Sequence, residues 1–177
     1  MTPIALGPDT GQLRLRTGRQ GMAAKAGHDL TIEAQTWSGQ AEVHLDAPTS
    51  SSVAVEVAVD GLTVLSGTGG VKPLSDSDKQ DIQRNIQRKI LHADKHPTIR
   101  FTSIAVTGTP ESFEVAGELT IGDTTAPLTL TGTVSDGRAR GTATVTQTRW
   151  GIKPFTAFLG ALKLADDVTV EFDMALR

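Results

Sequence analysis

The residues that offer chemistry by type and spacing are the histidines. His28 and Asp29 stand side by side in "AGHDLTIE", and an imidazole beside a carboxylate is the pairing of an oriented base or a metal ligand. Neighbours on a strand point to opposite faces, so the two meet only where a turn bends them together. Turn shaping by Gly27 and Asp29, with a local hydrogen bond from His28, is the simpler account. His92 and His96 sit at i, i+4 in "HADKH", the spacing at which two imidazoles on one helical turn share a metal. Ala93 occupies the place where an H-E-x-x-H motif carries its glutamate. Zinc sites take three or four protein ligands, so His28 or His44 would have to complete the set.

Other catalytic signatures are missing. The chain has no G-x-S-x-G, no P-loop and no dinucleotide fingerprint between a strand and a helix. Its glycine-rich "SGTGG" at residues 66–70 leads to Val71-Lys72-Pro73 and reads as a flexible loop. Asp166 and Asp167, ahead of the final alternating segment, read as solvated caps. Binding is therefore expected in place of turnover, with no cofactor. The alternative is a metal-dependent or histidine-based enzyme, with His92 and His96 as weak metal candidates.

What must position any site is a β scaffold. Val53, Val55, Val57 and Val59 alternate with Ala54, Glu56, Ala58 and Asp60, giving a strand with one apolar face. Phe113 to Ile121 and Val168 to Leu176 repeat that parity. In "GELTIGDTTAPLTLTGTV", Gly117, Leu119 and Ile121 are followed, after a Gly122-Asp123 turn, by Leu128, Leu130 and Val134. Weaker alternation in "GQLRLRT", "LTIEAQTW", "AEVHLDA", "TIRFTSIAV" and "RGTATVTQT" raises the total to eight or ten short strands, the pattern of an antiparallel barrel or sandwich. No repeat or linker divides the chain, so residues 1–177 are read as one domain.

One segment differs. Ile82, Ile86 and Ile90, backed by Leu91, form a helical stripe. A helix is expected over about 77–94, capped by Ser77 with Gln80 and ended before Pro97. The composition excludes several classes of function. A net charge of −3 without a long basic run argues against nucleic acid. No stretch is apolar for a membrane-spanning length, which leaves only transient membrane contact open. The start "MTPIALGPDTG" shows no basic and apolar leader, so a cytoplasmic protein is expected. Lack of cysteine excludes disulfides and thiolate chemistry.

Three stretches carry a family resemblance: "RKILHADKHPTIRFTS", "VAGELTIGDTTAPLTLTGTV" and "WGIKPFTAFLGALKLADDVTVEFDM". Their order and spacing, together with the Val53 to Val59 strand, resemble the YceI-like proteins from about residue 10 to the end. The resemblance implies an antiparallel lipocalin-like barrel of about eight extended strands. It adds the helix between strands and a short helical segment near 154–162. It further implies a hollow interior for a long amphiphile, a polyisoprenoid chain or an isoprenoid quinone, as ligand. The lining expected on that basis is Leu30, Ile32, Val55, Val57, Phe101, Leu119, Leu128, Leu130, Trp150, Phe155 and Phe158. For the head group the candidates are His28, Arg84, Arg88, Lys89 and Arg100, basic groups at a barrel mouth. Alternation alone does not separate a hollow barrel from a filled one, and homodimerisation is left open.

Overall fold

Period-2 alternation folds here into one curled antiparallel sheet. The structure is a computed structural model that describes residues 3–157 and 162–177. In chain order the strands of the main sheet are β1 (Ile4–Leu6), β2 (Gly11–Arg16), β4 (Asp29–Ala34), β5 (Trp37–Glu42), β6 (Ser52–Ala58), β7 (Leu62–Thr68), β8 (Thr98–Thr109), β9 (Ser112–Ile121), β10 (Thr124–Ser135), β11 (Arg138–Thr146) and β14 (Asp167–Ala175). Three short strands, β3 (Arg19–Gln20), β12 (Thr156–Ala157) and β13 (Leu162–Leu164), form a second small sheet at one rim. The main sheet runs β1-β5-β6-β8-β9-β10-β11-β14-β2-β4-β7.

Eleven strands stand where about eight were expected, and bends explain the difference. Residues 29–42 and 52–68 make a single long antiparallel pair, broken in the middle. Above the break β4 pairs with β7, and below it β5 pairs with β6. The break itself is stitched by Ala58 N–H to Thr36 O and Gln35 N–H to Gly61 O, both 2.9 Å. Because β4 also pairs with β2 and β6 with β8, the bent pair brings the two flanks of the sheet together. Counting each bent path once and setting aside the short β1 leaves eight staves.

The helix lies against the free edge of β7. Helix α1 (Asp76–Arg84) continues as a π-helical turn over Asn85–Ile90, so the expected helix ends earlier, at residue 90. His92 follows in the left-handed region at φ 52°. The cap is Ser75, whose hydroxyl accepts from Asp78 N–H while the Asp78 carboxylate accepts from Ser75 N–H. The box therefore starts two residues before the predicted one. An open strand edge leaves backbone groups without partners, and here glutamines supply them. Val64 N–H donates to Gln83 Oε1 at 3.1 Å, and the buried Gln87 Nε2 donates to the carbonyls of Asp60 and Leu62 at 3.3 and 3.1 Å.

Two further segments differ from expectation. Of the short helical segment expected near 154–162, residues 158–161 lie outside the described residues, and on either side of them Thr156–Ala157 and Leu162–Leu164 are strands, β13 adding to β3 at the rim. Ser66–Thr68 of the glycine-rich run belong to β7, paired with β4, and only the following residues form a loop.

Candidate functional site

Every long strand turns one parity inward. Across the ring, Val106, Val115 and Leu130 are in register, as are Ala143, Val170, Leu15, Ile32 and Val64 on the remaining staves. The outward parity is polar and is tied by cross-strand ion pairs, such as Arg100 with Glu56 at 3.0 Å and Arg138 and Arg140 with Asp173 at 2.6 and 3.2 Å. Burial works against ionisation of Asp173. The hydrogen bonds and charges of the two arginines outweigh it, and the carboxyl is held below its ordinary value.

The inward side chains do not fill the ring. They leave a bore of about 670 Å³, lined along the full set of staves by aliphatic and phenyl groups. An eight-stave barrel sits at the size where the interior is either just filled or holds one ligand, and two features here keep it open. Val53, Val55 and Val57 stay half-exposed although they point inward, since what they face is the bore. Phenylalanine rings lie flat on the wall over glycines. A Cβ on Gly117 would meet the Phe101 ring at 2.5 Å, one on Gly132 the Phe113 ring at 2.9 Å, and one on Gly141 the Phe172 ring at 2.6 Å. The missing side chains let the rings recline, so the centre stays clear.

The bore reaches both ends of the barrel. At one end it is bordered by Ile82, Ile86 and Ile90 of the helix, Thr17, Arg19, Gly27 and His28, and Phe155 and Leu164. At the other it reaches His44, Leu45, Pro48, Thr109, Pro110 and Leu176. Burial of the isoleucine stripe against the barrel explains why a segment rich in charge still folds as a helix.

The structure places Leu30, Ile32, Val55, Val57, Phe101, Leu119, Leu128, Leu130 and Phe155 on the wall of the bore. Trp150 is not among them. It is buried behind the wall, with Nε1–H donating to Leu119 O at 2.8 Å. Phe158 lies outside the described residues. Of the basic candidates only His28 borders the bore, and its Nε2 donates to Lys72 O at 2.7 Å. Arg100 is on the outer parity with Glu56. Arg84 pairs with Asp81, and Arg88 with Asp94 and Asp60. Arg84 and Arg88 share the helical segment with the apolar stripe and occupy its other side, away from the bore.

Arg19 is the charged group at this mouth that sequence reasoning missed. Its Nε donates to Asp29 Oδ1 at 2.9 Å, and its Nη1 to the carbonyls of Ala24, at 2.9 Å, and Gly27. Asp29 is thereby taken by arginine and not by His28. Nothing in "TGRQG" signals this, because the partners are set by strand pairing. Phe113 and Phe172 also line the bore, and their inward parity was visible in the sequence.

His92 and His96 border a separate recess of about 470 Å³ with Lys89, Lys95, Lys153 and Asp123. His28 and His44 are at opposite ends of the barrel, away from that recess. Among the described residues no group of three or more His, Asp or Glu is placed to hold a metal.

A family profile described as the YceI-like domain matches residues 12–176. The chain belongs to the YceI-like family. Solved structures agree on the fold. BcnA of Burkholderia cenocepacia is 15% identical with a TM-score of 0.68, over 93% of this chain and 94% of that one. The Campylobacter jejuni YCEI protein is 14% identical with a TM-score of 0.53, over 81% of each chain. A mutant of that YCEI protein, solved with a monobromobimane guest, is 14% identical with a TM-score of 0.59, again over 81% of each. No curated protein sequence matches the chain. At these identities the shared property is the YceI-like barrel.

Proposed function

We propose that this YceI-like barrel binds a long amphiphilic isoprenoid lipid, a polyisoprenoid or an isoprenoid quinone, and carries or stores it. The observation that carries this reading is the continuous apolar bore of about 670 Å³ through the staves. Strands such as β8 and β10, each 12 residues long, reach about 40 Å at 3.3–3.4 Å per residue. With the usual tilt of barrel strands, that gives a channel suited to an extended chain. Hydrocarbon buried there gains about 0.8 kcal/mol per CH₂, so affinity needs no directed contact along the tail. Arg19, Thr17 and His28 provide the polar groups at the helix end, where a head group rests.

The same wall favours binding over turnover, since along the staves it is aliphatic and phenyl and the histidines that border it, His28 and His44, stand at its two ends. Extraction of the purified protein followed by mass spectrometry is the test. A co-purifying isoprenoid, or a rise in melting temperature when the extracted protein is given decaprenol or a long-chain ubiquinone, is expected. No extracted lipid and no shift with either probe would refute the reading.

A further inference from the structure

The two ends of the barrel differ sharply in charge and polarity. The connections at the far end, residues 7–10, 43–51, 110–111 and 136–137, contain Asp9, Asp46, Glu111 and Asp136 and neither lysine nor arginine, with the Arg177 guanidinium standing over them against Gly137. The connections at the helix end, residues 17–28, 69–97, 122–123, 147–157 and 162–166, contain eleven Lys and Arg against six Asp. All seven lysines of the chain are there: Lys25, Lys72, Lys79, Lys89, Lys95, Lys153 and Lys163.

Exposed apolar side chains gather at the same place. Five large ones stand out among the described residues, and three belong to this mouth: Met22 at 97% exposure, Val71 at 80% and Phe155 at 51%. They are brought together by the rim. Arg19 of β3 is in register with Leu164 of β13, and Leu164 N–H donates to Phe155 O. Met22 follows three residues after Arg19. The loop bearing Val71 rests on the Arg19 guanidinium through Gly69 and on the His28 ring through Gly70. The rim segments 19–28, 69–74, 152–157 and 162–164 hold no acidic residue, while Lys25, Lys72, Lys153 and Lys163 flank the apolar groups.

We propose that this mouth docks on an anionic lipid bilayer, with Met22, Val71 and Phe155 entering the interface and the rim lysines lying over the head groups. A surface of exposed apolar residues ringed by lysine matches such a membrane in both terms: hydrocarbon beneath, negative charge above. The acidic far end orients the molecule so that the bore opens toward the bilayer. Phe155 belongs both to the bore wall and to the docking face, so a tail passes between membrane and barrel without crossing water. The inference goes beyond the proposed cargo, since the docking face is defined whether or not the bore is loaded.

Co-sedimentation with vesicles tests it. The probes are phosphatidylcholine vesicles with and without phosphatidylglycerol, free of isoprenoid, so that docking is read independently of cargo. The full chain is expected to sediment with the anionic vesicles and to be released at about 1 M salt, where screening acts over ~3 Å. The Met22→Ser/Val71→Ser double variant, and separately Lys25→Gln/Lys72→Gln, should each weaken binding on the order of tenfold or more. Ile104→Ser, at an exposed position of β8 off the bore, should not. Failure to bind anionic vesicles, equal binding to the neutral ones, or an equal loss with Ile104→Ser would overturn the proposal. Concentration-dependent dimerisation that the double variant abolishes, without vesicle binding, would assign the patch to a second copy of the chain. Each of those results leaves the lipid-extraction test standing.

Discussion

Filling the bore should stabilise the protein and weaken binding at once, opposite to the usual fate of an overpacked core. Val55 is the position for this. It faces inward between Gly39 and Phe101 in the cross-strand register, with its far side on the bore. Val55→Phe fills on the order of 50 Å³ of the 670 Å³, and at about 24 cal/mol per Å³ of cavity removed that stabilises the lipid-free protein by ~1 kcal/mol. For a chain of this length the melting temperature rises by ~2–4 °C. The ring displaces about two tail carbons, each worth ~0.8 kcal/mol, so the Kd for an isoprenoid quinone rises by on the order of tenfold. Calorimetric melting of extracted protein and titration of the quinone against tryptophan fluorescence read the two effects separately. Ala54→Phe, on the exposed parity of β6, serves as control and should stay within ~0.5 kcal/mol with unchanged affinity. A Val55→Phe protein that melts several degrees lower and still binds like the parent would show that the inward valines pack against protein, and the reasoning would fail.

Other perturbations follow from the same geometry. Gly117→Ala puts a Cβ 2.5 Å from the Phe101 ring and from Thr102 O, so it should cost ~1–3 kcal/mol and lower quinone affinity as the ring turns into the bore, read by melting and titration. Gln87→Leu leaves the carbonyls of Asp60 and Leu62 without their partner and should destabilise by ~1–3 kcal/mol in urea unfolding. Asp173 has its carboxyl held below the ordinary 3.8, so its stabilisation is present above that value and is lost as pH falls through the lowered one. Asp173→Asn should therefore flatten part of the acid side of a melting temperature against pH curve. An unchanged acid limb would refute the role of the two arginines.

How much was legible in the sequence depended on how local the signal was. Inward and outward faces of β6, β9, β10 and β14 were readable because alternation is a property of consecutive residues. So was the isoleucine stripe of α1, and so were nine of the residues now on the bore wall. Trp150 shows where this stopped. A large apolar residue among alternating strands looks like lining, but its indole N–H finds Leu119 O and draws the ring behind the wall. Three of the basic candidates lie off the bore for a related reason. Arg84, Arg88 and Arg100 carry charge suited to a head group, yet which acid each meets is decided by strand register and helix orientation. His92 and His96 fall outside the helix, which ends at Ile90, and His92 itself is in the left-handed region.

By itself, then, the sequence determined an antiparallel β scaffold with one oily parity, a helix with one apolar stripe, and a YceI-like pattern of motifs. These are fixed by side-chain period and composition along the chain. Only the tertiary structure decided that the oily parity encloses a bore. That outcome rests on ring closure through the bent 29–42 and 52–68 pair and on phenyl rings reclining over glycines of other strands. It also decided that Arg19 guards the mouth and that lysines from three separate connections share one end. Contacts between residues far apart in the chain depend on register and curvature, which no local spacing encodes.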